Sequence, residues 1–465
     1  MKLPSYEEYS ATGSWLGEIP THWFNSKLKY IAGFTTGLTP PTSDSSNYDS
    51  KEKPWFRPED LSEKGSLEIN ASKKISASAW KKLRQIPVGS TLLCCIGSIG
   101  KLGYLMRAAT SNQQITAVTP KFDIVNPKLI FWILAASQRE LKSLSMGNVV
   151  KILNSDRLGE LRVPLPPNNE QQKIAQFLDY ETAKIDALID EQKRLIELLK
   201  EKRQAVISHA VTKGLNPDAP MKDSGVEWLG QIPEHWETTP IKHVTKTFEQ
   251  GWSPQCFNEP VSNESELGVL KVGCVKQGRF DYSENKRLPP ELKFKSELAV
   301  KAGDLLISRA NTRELVGSAG VPTVNHDNLM ISDKLFRLKL TGQAISRFVC
   351  FFLTTKAARK QIELAATGAS DSMLNIGQGT IREMPFPCPP VEEQRQIVDY
   401  VVRVNWRLLE LAGEALKLVN TLKERRSALI SAAVTGKIDV RDWQPPAGSD
   451  TVDSNTSMQT ERHYG

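Results

Sequence analysis

The chain has 465 residues, of which 40% are apolar and 24% charged, an ordinary mixture for a protein that buries real cores. This length predicts two to four domains. The formal net charge is +7, and residues 1–167 alone hold 21 basic against 14 acidic residues, which suits a phosphate-bearing partner without requiring one.

The six cysteines include no Cys-x-x-Cys pair, and the six histidines show no zinc spacing. The sequence therefore indicates neither a disulfide framework nor a metal site, and we expect no cofactor. The first residues, MKLPSYEEYS, lack the apolar segment of a signal peptide, and the longest apolar runs, at 129–136 and 348–353, are too short to span a bilayer. We expect a soluble cytoplasmic protein.

Residues 1–167 are dense in turn residues and in short apolar or β-branched runs such as STLLCCIG and QITAVTPK. This pattern predicts an irregular α+β domain. Its glycine-rich segment 97–103 has neither the dinucleotide-binding nor the P-loop spacing, so we interpret it as a tight loop near a strand.

Residues 168–213 contain no proline or glycine and follow a Pro-Pro pair, which predicts one helix of about 69 Å at roughly 1.5 Å per residue. Gly214 suits the position just after the helix. Largely apolar rows recur every seven residues and predict pairing with a second long helix, although a helix packed on its own domain is the alternative. The two rows are 174, 181, 188, 195, 202 and 178, 185, 192, 199, 206.

After a short linker, 214–227, the chain repeats itself. The block WLGEIPTHW at 15–23 returns as WLGQIPEHW at 228–236, and the Gly-x-Thr/Ser-Pro turn at 37–40 returns at 251–254. The Pro-Pro-x-x-Glu-Gln opening of the helix also returns, at an offset of 223 residues. The chain is therefore an internal duplication. We predict a second domain at 228–390 and a second helix at 391–437 that Gly436 closes, and we expect the polar tail at 438–465 to be disordered.

The second helix can pair with the first along its length only if the two run antiparallel. We therefore predict an α+β fold in which an antiparallel pair of long coiled-coil helices joins two globular domains related by an approximate twofold axis. Such a pair of domains suits two separated patches on one DNA duplex.

The string AVTKGLNP at 210–217, followed by MKDSGVEWLGQIPEHW at 221–236, resembles the central region of type I restriction–modification specificity subunits. Both helix openings and both Gly-x-Thr/Ser-Pro turns are similar too, so the resemblance covers everything but the tail. It implies a non-catalytic subunit whose two target-recognition domains each read one half of a split, asymmetric DNA site. It also implies that the helices act as a ruler and dock two adenine-methylating modification subunits, which restriction subunits then join.

Two alternatives remain. An amino-methyltransferase would need Asn-Pro-Pro followed by an aromatic residue, which the chain lacks, and Asp281 with Glu291 and Lys293 offers only a loose nuclease spacing. A helical-repeat adaptor that binds other proteins would explain the helices. The domain interiors, 41–86 and 255–299, hardly match each other, however, and this favours readers of two different DNA sequences.

Base edges are read mainly by Arg, Lys, Asn and Gln on loops or helix ends, whereas phosphates accept contacts from almost any donor. We take ten such residues as candidate DNA contacts, with a solvated loop as the alternative for each. They are Asn112, Gln113, Gln114, Lys151 and Arg157 in the first domain, and Arg309, Asn311, Arg313, Asn375 and Gln378 in the second. The tryptophans and histidines of the repeated nine-residue block are interpreted as structural.

Overall fold

The computed structural model describes residues 4–48, 52–368 and 373–445, and the chain divides into two compact units. Unit 1 contains residues up to 192 together with the chain from 417 onward, and unit 2 contains residues 193–416. Both boundaries fall inside long helices, so each unit consists of a globular part and one segment of each helix.

Unit 1 is a mixture of short strands and short helices, with the first long helix leaving it. Its strands are β1 (Tyr9–Ala11), β2 (Glu18–Pro20), β3 (Phe24–Lys27), β4 (Ala32–Thr36), β5 (Lys53–Phe56), β6 (Lys73–Ile75), β7 (Thr91–Cys94), β8 (Leu102–Tyr104), β9 (Thr110–Ser111), β10 (Ile115–Pro120) and β11 (Arg162–Leu165). Its helices are α1 (Leu28–Ile31), α2 (Ala77–Lys82), α3 (Pro127–Ala136), α4 (Gln138–Ser143), α5 (Ser155–Gly159) and the long α6 (Asn168–Lys213), with 3-10 turns at Ser45–Asn47 and Pro58–Asp60.

The central sheet of unit 1 has the antiparallel order β4-β10-β7-β8, and α3 packs against three of its strands. Asn126 caps α3 because its side chain accepts hydrogen bonds from the backbone of Lys128 and Leu129, and Pro127 suits the first helical position. The helix is apolar on every face, and the rings of Phe131 and Trp132 are fully buried. The apolar run at 129–136 is thus a core helix.

Unit 2 has the same mixture. Its strands are β12 (Met221–Asp223), β13 (Gln231–Pro233), β14 (Glu237–Pro240), β15 (Thr245–Gln250), β16 (Gly268–Leu270), β17 (Val275–Lys276), β18 (Arg279–Phe280), β19 (Asn285–Arg287), β20 (Ala299–Val300), β21 (Leu305–Ser308), β22 (Ala310–Asn311), β23 (Ala319–Gly320), β24 (His326–Met330), β25 (Leu335–Leu340), β26 (Leu374–Asn375) and β27 (Pro385–Cys388). Its helices are α7 (Ser346–Leu353), α8 (Lys356–Ala365), α9 (Gln378–Arg382) and the long α10 (Val391–Val434), with 3-10 turns at Ile241–Val244, Val272–Cys274 and Ser296–Leu298.

The two globular parts share one topology. The order β4-β10-β7-β8 of unit 1 corresponds to β15-β25-β21-β23 of unit 2, and β3-β11 corresponds to β14-β27. A parallel pair recurs as well, since β5 lies beside β9 as β16 lies beside β24. The predicted duplication is therefore confirmed, and it extends through interiors whose sequences hardly match.

The long helices run antiparallel within each unit, and α10 ends at Val434, three residues before the predicted end at 437. Gly214 and Gly436, just beyond α6 and α10, have φ of +78° and +70°. In unit 1, Arg426 of α10 forms an ion pair of 2.9 Å with Asp186 of α6; in unit 2, Arg203 hydrogen bonds with Asn405. In the described ranges, neither these nor the shorter helices combine the length and hydropathy of a membrane span.

One row of the helix seam differs from the prediction. The row through 178 and 185 is buried near the domains, but Leu188 and Leu195, expected beside it, are exposed. The second row lies one residue later and includes Ile189, which packs on Val419 and Leu422. The cause is that polar side chains occupy part of this row, namely Thr182 and Arg203 on α6 and Arg426 at the equivalent position of α10. The apolar periodicity therefore favours the adjacent row, whose leucines the structure leaves exposed.

A buried glutamine fixes the start of each long helix to its globular part. In unit 1, Gln171 accepts a hydrogen bond from the backbone N–H of Asn126 at 2.7 Å and donates to the carbonyl oxygens of Ile124 and Pro166. Gln394 repeats this pattern in unit 2, with Ile345 as the donor at 2.8 Å. Each glutamine thereby satisfies peptide groups that would otherwise be buried without partners.

The glutamate that precedes each glutamine holds the repeated nine-residue block. Glu170 accepts a hydrogen bond from the ring N–H of Trp23 at 2.9 Å and lies 2.8 Å from Nε2 of His22. In unit 2, Glu393 lies 2.8 Å from Nε2 of His235. These histidines and Trp23 are structural, as predicted.

Two expectations about chain ends need correction. Part of the predicted linker forms β12, which pairs with β13. The tail was expected to be disordered from 438 onward, but its first residues are ordered. Val440 is buried, and the ring of Trp443 lies 5.5 Å from the ring of Phe177. The N–H of Asp439 donates to the carbonyl of Pro4 at 2.7 Å. The first tail residues include apolar side chains that the polar overall composition conceals, and residues 446–465 lie outside the described residues.

Replacing Gln171 with alanine leaves several buried peptide groups without a partner. We expect Gln171→Ala to lower the free energy of unfolding by about 2–3 kcal/mol. Gln172→Ala is the matched control, because the neighbouring Gln172 is exposed and should tolerate the change. Urea denaturation followed by circular dichroism measures both, and equal stabilities would contradict the role given to Gln171.

Candidate nucleic-acid interface

Four chain segments that carry most of the first-domain candidates meet beside the central sheet of unit 1. We call them loop cluster 1: the turn after β4, the segment after β7, the loop between β9 and β10, and the segment before α5. Their residues are 37–40, 95–97, 112–114 and 151–153.

Backbone hydrogen bonds tie these segments together in a fixed order. The N–H of Leu153 donates to the carbonyl of Cys95, and the N–H of Cys95 donates to the carbonyl of Gln114, both at 2.8 Å. The turn is attached where the loop between β9 and β10 begins, since the N–H of Leu38 donates to the carbonyl of Ser111 at 2.8 Å. The cluster is thus held by its backbone, which leaves side chains available to vary.

Unit 2 contains the same arrangement, loop cluster 2, formed by residues 251–254, 309–311, 332–334 and 374–376. The N–H of Ile376 donates to the carbonyl of Arg309 at 2.9 Å, and the N–H of Arg309 donates to the carbonyl of Lys334 at 2.8 Å. Trp252 joins the turn to Ile331 at 3.1 Å. The order of bonds is that of loop cluster 1.

The repeated Gly-x-Thr/Ser-Pro turn has a steric reason. A Cβ atom on Gly37 would lie 2.2 Å from the carbonyl oxygen of Ser111, and one on Gly251 would lie 2.1 Å from that of Ile331. Only glycine allows this approach. The hydroxyl two residues later then binds the adjoining loop, as Thr39 does with the side chain of Gln113.

In loop cluster 1, the candidates have different environments. Asn112 is buried, and its side chain accepts from the N–H of Gln114 and donates to that residue's side-chain oxygen at 3.0 Å, so it braces the loop. Gln113 and Lys151 are exposed, and Gln114 is half-buried. Arg157 lies beyond the cluster, on α5, where its guanidinium donates to the carbonyl of Leu144.

In loop cluster 2, the structure brings Arg309, Asn311 and Asn375 together. Strands β22 and β26 pair antiparallel, with Ala310 opposite Asn375, and the guanidinium of Arg309 donates to the carbonyl of Asp333 at 3.4 Å. Arg313 follows β22, and Gln378 begins α9, so both lie outside the cluster.

Sequence reasoning missed Asp333 and Lys334. They occupy the positions of Gln113 and Gln114, and Ser253 binds the carboxylate of Asp333 as Thr39 binds Gln113. The segments Asn-Gln-Gln and Ser-Asp-Lys share no residue, so a search for similar residues could not relate them. Aligning the strands that follow, β10 and β25, would have done so.

The groups that the loop clusters offer suit hydrogen bonding better than nucleophilic attack or metal binding. Burial raises the pKa of the Cys95 thiol to about 12, so this thiol stays protonated at neutral pH. Asp281, the first residue of the loose nuclease spacing, accepts a hydrogen bond from the N–H of Ser283 at 2.9 Å. Among the described residues, no group of His, Cys, Asp and Glu side chains is placed to hold a metal ion. Amide, guanidinium and ammonium groups of the kind that read base edges remain.

Comparison with known proteins places these features in a family. The model of the type I restriction modification DNA specificity domain matches the chain twice, over residues 20–198 and 233–414. The type I restriction enzyme MjaIX specificity subunit of Methanocaldococcus jannaschii is 29% identical over 448 residues, which cover 92% of this chain and 96% of that protein.

Two further similarities are narrower. The EcoEI specificity subunit of Escherichia coli is 28% identical over 208 residues, 44% of this chain, and this match spans only 35% of that protein. One solved structure concerns complex assembly and conformational transition of the type I R-M system. Its chain has a TM-score of 0.66 to this chain at 15% sequence identity, and the match covers 90% of this chain and 98% of the solved chain. At that identity, the likeness shows the fold.

Alanine at Gly37 tests how firmly the turn is packed. The added Cβ would meet backbone rather than a movable side chain, so we expect Gly37→Ala to cost about 1–3 kcal/mol of stability and to speed amide hydrogen exchange at 111–115. Gly33→Ala, in neighbouring β4, meets no atom within 4 Å and is the control. Unchanged exchange in Gly37→Ala would show that the approach is not required.

Proposed function

The chain belongs to the type I restriction–modification DNA specificity family, and we propose that it is the DNA-recognition subunit of such a system. It reads a bipartite, asymmetric site and performs no catalysis. Its partners are modification subunits with adenine methyltransferase activity and restriction subunits. One observation carries this proposal: the same loop cluster recurs on the same sheet topology, with different side chains in each unit.

The difference between the clusters favours an asymmetric site. Loop cluster 1 presents Gln113 and Gln114, and glutamine can bond bidentately with adenine. Loop cluster 2 presents Arg309 and Lys334, and arginine or lysine commonly contacts O6 and N7 of guanine. Two readers with unlike donors on one framework would recognise unlike half-sites.

Exposed leucines on the long helices support the docking of two modification subunits. Leu188 and Leu411 occupy equivalent positions of α6 and α10, and their exposed fractions are 43% and 46%. Leu195 and Leu418 form a second equivalent pair, at 41% and 44%. Unit 1 therefore has one leucine of each pair, and so has unit 2. Apolar surface that repeats in this way suits two copies of one partner.

Exchanging one globular part should change one half-site. Replacing residues 1–167 with those of a relative should alter one half of the methylated sequence and preserve the other, because each loop cluster reads independently. The reciprocal exchange of 228–390 is the control and should alter only the other half. Methylation mapping after reconstitution with modification subunits measures this. A change in both halves from either exchange would contradict the two-reader proposal.

Charge placed on the leucine faces should block docking. We expect Leu188→Asp alone or Leu411→Asp alone to reduce the bound modification subunits from two to one, and the double variant to bind none, because aspartate would have to be buried. Leu364→Asp, at an exposed leucine of α8, is the control. Light scattering gives the stoichiometry and circular dichroism verifies the helices. Two subunits bound to the double variant would refute this docking surface.

A further inference from the structure

A short hairpin projects from loop cluster 1. Met146 and Ile152 exchange two backbone hydrogen bonds, of 2.8 and 2.7 Å, and enclose a five-residue tip. Gly147 has φ of +110°, and a Cβ atom there would lie 2.1 Å from the carbonyl oxygen of Val150, so the tip requires glycine. We call residues 146–152 the apolar hairpin.

The side chains of the apolar hairpin face solvent. Val149 is 97% exposed, and Met146, Val150 and Ile152 are each about half exposed. Lys151 is exposed as well, next to Val150. Neighbouring exposed apolar side chains are uncommon on a soluble protein and mark an interaction surface more often than a single exposed leucine does.

Backbone bonds fix the hairpin to the candidate reading groups. The carbonyl of Lys151 accepts from the N–H of Gly97 at 2.9 Å, and the next residue but one, Leu153, donates to Cys95. Cys95 in turn donates to Gln114. The base of the hairpin therefore belongs to the same backbone frame as Gln114.

We propose that the apolar hairpin enters the DNA major groove and that Val149 contacts the C5-methyl group of thymine in the half-site that unit 1 reads. This rests on the proposed function. The hairpin has seven residues closed by a single antiparallel bridge, and it is therefore narrow. The major groove, about 12 Å wide, admits even an α-helix, whereas the minor groove is only about 6 Å wide. Valine cannot hydrogen bond with a base, and the thymine methyl is the apolar group that the major groove presents.

Charge supports DNA as the occupant of this surface. Lys151 is the last residue of the tip, where an ammonium group can contact phosphate, and residues 1–167 hold 21 basic against 14 acidic residues. In residues 214–390 the balance is 21 against 20. A basic domain attracts a duplex, and Lys151 can hold the apolar tip against it.

The test removes single methyl groups from the DNA. Methylation mapping with the complete wild-type complex first gives the site, and deoxyuridine then replaces each thymine of the unit 1 half-site in turn. We expect at least one replacement to weaken binding about three- to fivefold, as for one buried methyl group. Val149→Ala should weaken binding to the thymine duplex similarly and be insensitive to that replacement. Fluorescence anisotropy at fixed salt measures the affinities of the wild type and of Val149→Ala for the thymine and deoxyuridine duplexes.

Val88→Ala is the matched control, since Val88 is also an exposed valine of unit 1 but lies outside the hairpin. It should keep the full sensitivity to deoxyuridine. The proposal is overturned by any of these results: no deoxyuridine replacement weakens binding, Val149→Ala keeps the full sensitivity to deoxyuridine, or 2-aminopurine fluorescence shows that Val149 unstacks bases instead. Loss of modification subunits from Val149→Ala with its deoxyuridine response intact would assign the hairpin to protein contact and also overturn it.

The mapping step separates the two levels of inference. A two-part methylated site upholds the proposed function whatever the deoxyuridine series shows. If the complete complex gives no such site, the proposed function fails and this inference fails with it.

Discussion

The structure depends on the pairing of buried peptide groups at the point where each long helix begins inside its globular part. Where the helix enters the domain, the adjoining segments bring peptide N–H and C=O groups out of water, and these groups need partners. One glutamine, Gln171 in unit 1 and Gln394 in unit 2, meets this demand with both a donor and an acceptor. The adjacent glutamate holds the chain that enters the domain. Because the junction is closed by side chains of the helix itself, each globular part has a fixed direction relative to its own helix segments.

A firm frame permits variable loops. In both clusters the segments are joined through backbone groups, which every residue except proline can supply, and the close approach of the turn requires only that Gly37 and Gly251 remain glycine. The residues at 113 and 333 differ, yet each meets a hydroxyl from the turn. The side chains of the loop clusters can therefore change without disturbing the sheet beneath them, and this explains how interiors of unlike sequence share one topology.

Much of this could be predicted because it follows from strong local signals. Runs without proline and the closing glycines located α6 and α10, and repeated motifs revealed the duplication. One row of the helix seam lies one residue later than predicted, because Arg426 and its partner Asp186 make a polar contact that apolar periodicity does not detect. Asp333 was missed since its role depends on a position in space. The packing of Trp443 depends on Phe177, a residue too distant in sequence for local patterns to relate.

The hydrogen bond between Asp439 and Pro4 also bears on the chain's history. In unit 2 the polypeptide continues from Gly214 through a few residues into β12; in unit 1 the equivalent step, from Gly436 towards β1, is bridged by that hydrogen bond instead of by peptide bonds. The order of connections is therefore the same when the chain is opened at the other of the two matching junctions. A gene with its halves transposed would encode a chain that can make the same contacts within each unit, so the order of the halves along a gene can change without altering those contacts.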